Sequence, residues 1–159
     1  NPKDAIEVLN EIKAEDRTLA IELALAEAFI KSDQNKQAIQ HLSALQDLYP
    51  TYAAINYLLA KAYLQDNNAP AAIRLLSSEL FRESPTPIAY RLLAEAASKD
   101  HQKGLSYEAM AEYYFAYGKY SEAMAQIDMA LKSDDLKEIE KQRIENKRDI
   151  LKTWLDSAQ

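Results

Sequence analysis

The chain has 159 residues, a formal net charge of −6, two His and no Cys, which is length enough for one domain with a buried core. Without Cys there is no disulfide or thiol chemistry, and an acidic balance with no Lys/Arg-rich run argues against nucleic acid and anionic membrane surfaces as partners. Two Gly and five Pro among abundant Ala, Leu, Glu and Lys point to an all-α protein, and no apolar run approaches a membrane span.

The segment 4–13 reads as a helix with Ala5, Val8, Leu9 and Ile12 on one face. It has the stripe of a second helix whose first helix is missing, so 1–18 reads as a truncated repeat. The chain opens at Asn1-Pro2 with no initiator Met or signal peptide, and the expectation is an excised or processed piece of something longer. A repeat follows over 19–52. Leu25, Ala26 and Phe29 face Ala38, Leu42 and Leu45 across a polar turn. Glu22 stands where a large apolar residue is usual, so this repeat is expected to pack less tightly at its start. Pro50 stops the second helix and Thr51 can cap the next. Over 53–86, Leu59, Ala60 and Tyr63 face Ala72 and Leu76; Asn67 or Asn68 caps the second helix, with Pro70 in its first turn. Thr86 before Pro87 marks the next helix start.

Tyr90, Leu93, Ala94 and Ala97 form the face of a half repeat at 87–103. Ala26 to Ala60 and Ala60 to Ala94 are each 34 residues, whereas Ala94 to Ala111 is 17. The helix near 102–117 must therefore close one hairpin and open the next, with a change of superhelical path expected there. In 104–134, Tyr107, Met110, Ala111 and Tyr114 make one stripe, Gly118 and Lys119 the turn, and Tyr120, Ala123, Ile127 and Ala130 the facing stripe. Ala111, Ala123 and Ala130 sit where two helices cross closely. Over 135–159, Asp135 and Glu138 form a candidate capping pair. Leu136, Ile139, Ile144, Ile150, Leu151, Trp154 and Leu155 fall within an arc of roughly 160°, backed by charge as a solenoid cap requires.

This order of small and aromatic residues resembles the tetratricopeptide repeat (TPR), two antiparallel helices in 34 residues. The fold expected is all-α: a TPR superhelix, or α-solenoid, of about nine antiparallel helices. It has a half-repeat register step and a long C-terminal capping helix, and 1–159 is a single domain.

There is no HExxH, CxxC, GxGxxG or P-loop. His41 falls on a helix and His101 in a polar turn, neither with a partner at metal-ligand spacing; each is expected to be surface or half-buried. No enzyme activity, metal or cofactor is expected of this chain. Tyr107, Tyr114 and Tyr120 occupy packing positions, while Tyr113, Tyr117 and Phe115 lie off that stripe and are better candidates for an exposed surface. In such arrays the first helices line a concave face that takes an extended peptide or a partner helix. The positions are Tyr57, Lys61 and Leu64, then Arg91 and Glu95, then Glu108, Glu112 and Phe115. The expected groove is basic in its middle and acidic toward its C-terminal end, and lacks the Lys/Asn carboxylate clamp of chaperone-tail-binding repeats. Its partner is a protein or peptide, with no nucleic acid and no membrane insertion.

One run has a narrower likeness. Tyr90-Arg-Leu-Leu-Ala-Glu-Ala-Ala, then Tyr107-Glu-Ala-Met-Ala-Glu-Tyr-Tyr-Phe-Ala-Tyr-Gly, then Ala123-Met-Ala-Gln-Ile-Asp-Met-Ala-Leu resemble the C-terminal repeat domain of periplasmic zinc metalloproteases of the β-barrel-assembly-enhancing type. The half-repeat step and the charged closing helix with Arg143-Ile144 share the likeness. It implies a periplasmic module that holds substrates or assembly partners beside an N-terminal HExxH protease domain, in outer-membrane protein quality control. No catalytic residue carries over to this chain. The alternative is a stand-alone TPR adaptor, periplasmic or cytoplasmic, that bridges two partners.

Overall fold

The computed structural model describes residues 1–80 and 86–157. Among them are nine α-helices, a short 3₁₀ turn at Ala14–Asp16, and no strand. The helices are α1 (Pro2–Glu11), α2 (Leu19–Lys31), α3 (Asn35–Leu48), α4 (Ala53–Gln65), α5 (Ala69–Leu80), α6 (Pro87–Lys99), α7 (Lys103–Ala116), α8 (Tyr120–Leu131) and α9 (Glu138–Ser157). The chain falls into two compact units, Asn1–Leu75 and Leu76–Gln159.

Four turns share one backbone device. Asp33, Asn67, His101 and Gly118 adopt positive φ angles of 62°, 58°, 59° and 69°. The residue after each sends its N–H back to a carbonyl five positions earlier: Gln34 to Phe29 at 2.9 Å, Asn68 to Tyr63 at 2.8 Å, Gln102 to Ala97 at 2.8 Å and Lys119 to Tyr114 at 3.0 Å. This is the left-handed helix stop that frees the chain to reverse. Asp, Asn and His are, after Gly, the side chains that enter this region most readily. Asp33, Asn67 and His101 recur every 34 residues and Gly118 follows after 17, so the half-repeat step is written into the backbone. His101, expected only as a polar turn residue, supplies one of these left-handed stops.

The Asn1–Leu75 unit is built on Ala26, Leu42, Ile55 and Leu59, all under 2% exposed, with Leu19, Tyr57 and Tyr63 packed around them. α1 docks on α2 through Ile6, which meets Leu25 and Ala28 beside Ala5 and Leu9. The expected α1 face is thus turned by one position. Val8 is 60% exposed, because the Ala5–Ile6–Leu9 side is the one that fits between Leu25 and Ala28. Thr51 does not cap α4: Tyr52 holds the cap position without a side-chain bond. The buried Asn56 ties that turn instead, donating to the Pro50 carbonyl at 3.3 Å and accepting from Gln46 at 2.6 Å. Asn68 caps α5 by accepting the Ala71 N–H at 3.3 Å, and Thr86 precedes Pro87 at the start of α6 without a side-chain bond.

In the Leu76–Gln159 unit, α7 packs against both α6 and α8, and α8 against α9. Ala111, Ala123, Ile127, Ala130, Ile144 and Leu151 form its core. α9 commits a narrow seam: Ile144 and Leu151 are buried, whereas Ile139, Ile150 and Trp154 are at least half exposed. Asp135 does not cap α9. Its carboxylate accepts the Gly104 N–H at the head of α7 (3.0 and 3.2 Å), and Glu140 caps α9 by accepting the Lys137 N–H at 2.7 Å. The slight burial of Asp135 raises its pKa, but the bonds from Gly104 and Ser133 outweigh that and hold it below the ordinary 3.8. Gly104 has a steric reason to be Gly: a Cβ there would run into Leu136 and come within 2.8 Å of Ser133 Oγ.

Candidate functional site

In the Asn1–Leu75 unit the α4 positions divide. Tyr57 and Lys61 are half-buried, and Lys61 makes no ion pair among the described residues. Leu64 is 2% exposed, which corrects its assignment to the groove. It lies one turn beyond Ala60 and shares that residue's inward direction, so it is core. Glu22 is the acid in an apolar slot. Its carboxylate lies 3.1 Å from His41 Nε2 on α3 and 3.9 Å from Arg17. Arg17 in turn donates to the Ile12 carbonyl at 2.9 Å. Charge thus replaces apolar packing at the start of this repeat, and both His41 and Glu22 are held by structural contacts.

In the Leu76–Gln159 unit, Arg91 and Glu95 are exposed on α6. Glu95 pairs with Lys99 at 3.4 Å, while Arg91 has no charged partner among the described residues. On α7 the expected acidic end of the groove is covered. Glu108 is 5% exposed. Its carboxylate accepts Arg143 Nε at 3.1 Å, Arg143 Nη2 at 2.6 Å and Lys147 Nζ at 2.9 Å. Lys147 also reaches Glu112 at 2.5 Å. The physical reason is complementary spacing: Glu108 and Glu112 stand one turn apart on α7, and Arg143 and Lys147 one turn apart on α9. Burial works to lower the pKa of Lys147, but the negative charges of Glu108 and Glu112 prevail and raise it above 10.5. Nearby, burial and then the Glu112 charge raise Tyr90 above 10.0, against a smaller opposing pull from Lys147.

Phe115 is no lone groove aromatic. It packs 5.5 Å from the Tyr120 ring and 6.2 Å from Trp154, which stacks on Tyr120 at 5.9 Å. Tyr113 contacts Tyr114 and Tyr117 edge-on, and of these Tyr117 is 59% exposed. Two cavities of about 190 Å³ each open beside the Glu112–Lys147 pair. One is walled by Ala111, Phe115, Ile127, Ile150 and Leu151, the other by Tyr90, Glu108 and Arg143.

Lys147 was visible in the sequence only as part of a charged helix back, and Arg143 only there and in the likeness of the closing helix. The paired four-residue spacings on α7 and α9 were the available signal. Among the described residues, no cluster of three or more His, Cys, Asp or Glu is placed to hold a metal ion, and no helix is long and apolar enough to cross a membrane.

The helices, their left-handed stops and the 34-residue turn spacing define a helical-hairpin repeat protein. Residues 29–78 match the tetratricopeptide repeat family model. No curated protein matches the chain. The described residues are accordingly all-α, and residues 29–78 carry the tetratricopeptide repeat, the architecture of a protein–protein interaction module.

Proposed function

We propose that the chain is the non-catalytic partner- or substrate-binding module of a periplasmic zinc metalloprotease that acts in outer-membrane protein quality control. The repeat match over 29–78 carries the binding part of this reading; the likeness of the α6–α9 sequence to such proteases supports the rest. The acid–base groups that stand closest together, Glu22–His41 and Glu108–Arg143–Lys147, serve to hold helices to one another. Binding is assigned to the positions that keep free chemistry. In the Asn1–Leu75 unit, Tyr57 and Lys61 on α4 offer an aromatic face and an ammonium without an ion pair among the described residues. In the Leu76–Gln159 unit, Arg91 on α6 offers a guanidinium without a charged partner among the described residues, with Glu95 one turn further along the same helix, whereas Glu112 and Phe115 on α7 are engaged by Lys147 and by Tyr120 and Trp154.

A few such residues dominate binding at an interface. Arg91→Ala, at an exposed position, is expected to weaken partner binding by about 1 kcal/mol or more while melting stays nearly unchanged; Tyr57→Ala should weaken binding too, but with a loss of melting temperature, because its ring packs on the Asn1–Leu75 core. Gln40→Ala with Arg74→Ala, both exposed positions, should leave binding intact. Photocrosslinkers at Tyr57 and at Leu9 decide where the partner sits, and capture from Leu9 alone refutes the assignment to α4. The protease connection is tested by reading the coding sequence upstream of Asn1. An HExxH domain behind a signal peptide supports it. A start codon shortly upstream refutes it and leaves the stand-alone adaptor.

A further inference from the structure

The two cavities of the Leu76–Gln159 unit share the Glu112–Lys147 ion pair as a common wall. Their chemistries differ. The apolar one, at about 190 Å³, exceeds the roughly 150 Å³ in which a buried pocket holds benzene, so it accommodates one aromatic ring. Ile150, 57% exposed, stands on its wall. Trp154, 50% exposed, lies one turn further along α9 and packs on the same Phe115 that lines the cavity.

The polar cavity is rich in donors. Arg143 uses Nε and Nη2 on Glu108, and its Nη1 has no acceptor among the described residues. Lys147 makes bonds to Glu108 and Glu112, and an ammonium has three donors. The Tyr90 hydroxyl likewise makes no hydrogen bond among the described residues. Yet two carboxylates balance two cations there, so the cavity carries donors without net positive charge. Such a wall complements the carbonyl oxygens of a polypeptide backbone. It does not complement an added carboxylate, which would meet the field of Glu112.

We propose that this pair of cavities is a peptide site. It takes an extended, uncharged segment of a partner protein, with one aromatic or leucine side chain in the apolar cavity. Backbone carbonyls of the same segment meet Tyr90, Arg143 and Lys147. The proposal rests on reading the chain as a protein-binding module, but it uses residues other than Tyr57, Lys61 and Arg91.

The test titrates an N-acetylated, C-amidated Ser-Thr-Phe-Thr-Ser peptide, which carries no charge, into the full 159-residue chain and follows the heat of binding. Emission of Trp154, the single tryptophan, is read with the same peptide. Saturable binding that shifts Trp154 emission is expected. The peptide with Ala in place of Phe should bind at least about tenfold more weakly, as one buried aromatic side chain implies. Flanking the Phe with Asp should also weaken binding several-fold. Ile150→Glu, at an exposed position that spares the core, should weaken it about tenfold, and Gln40→Ala, at an exposed position, should leave it unchanged. The proposal is overturned by no binding, by equal affinity for the Ala or Asp peptides, or by wild-type affinity in Ile150→Glu. Loss in Arg91→Ala with retention in Ile150→Glu overturns this site alone and leaves the α6 assignment standing.

Discussion

Replacing Arg143 and Lys147 together by Met is expected to destabilise the Leu76–Gln159 unit by about 3–5 kcal/mol. The magnitude follows from an asymmetry in exposure. The Arg143 and Lys147 side chains are 49% and 33% exposed, but that of Glu108 is only 6% exposed. Taken from the cations' side this is a surface ion pair, worth about 1 kcal/mol or less. From the acid's side it is buried, with three charged hydrogen bonds at 2.6–3.1 Å. Removing both cations strands a carboxylate that water cannot reach, and that stranded charge sets the cost. Met retains much of the aliphatic packing, so little of the loss comes from a cavity. Adding Glu108→Leu removes the stranded charge and should return stability to within about 1–2 kcal/mol of wild type. Trp154 fluorescence during thermal unfolding reports this unit. At about 2–4 °C per kcal/mol for a chain of this size, the double variant should melt roughly 6–20 °C lower. A loss below about 1 kcal/mol, or a triple variant no better than the double, would refute the reasoning.

Gly104→Ala should cost about 1–3 kcal/mol, because its methyl must displace Leu136. Gly118→Ala, with φ +69° and open space around it, should cost only about 1 kcal/mol of backbone strain; equal losses would show that Leu136 simply moves aside. The folded pKa of Lys147 lies above its ordinary 10.5, so its contribution is complete below 10.5 and lost as pH rises through the folded value. Wild type should therefore lose stability with alkali more steeply than Lys147→Met, and parallel curves would contradict this. Asp135 lies below 3.8, so its contribution is complete above 3.8 and lost as pH falls through the folded value. Asp135→Asn should flatten the acid limb of an unfolding–pH series, and an unchanged limb would mean the Gly104 bond does not matter to stability.

Periodicity made most of the fold legible. Ala26, Ala60 and Ala94 recur because a close helix crossing admits only a small side chain, and that constraint repeats with the hairpin. The half-repeat step was readable from Ala111 for the same reason. What periodicity cannot convey is contact between elements far apart in sequence. Asp135 resembles a local helix cap, yet its acceptor oxygens serve Gly104, 31 residues earlier. Glu108 and Glu112 look like solvated acids until α9 is laid against α7. Leu64 and Val8 were misplaced for a smaller reason: near the edge of an apolar arc, one residue of rotation decides between core and water. The left-handed stops at Asp33, Asn67 and His101 were open to prediction from residue type alone, since each precedes a new helix by two positions.

The bonds that complete α7 have a direction in time. During synthesis α7 leaves the ribosome with the Gly104 N–H and the Glu108 carboxylate both unanswered. Asp135 follows the first by 31 residues; Arg143 and Lys147 follow the second by 35 and 39. Until they emerge, water is the partner of Glu108. The hairpin of α7 and α8 can therefore be helical early but becomes a sealed body only when α9 arrives. In the nascent chain α9 acts as the closing clasp, and it brings with it the cations that the acid on α7 needs once covered.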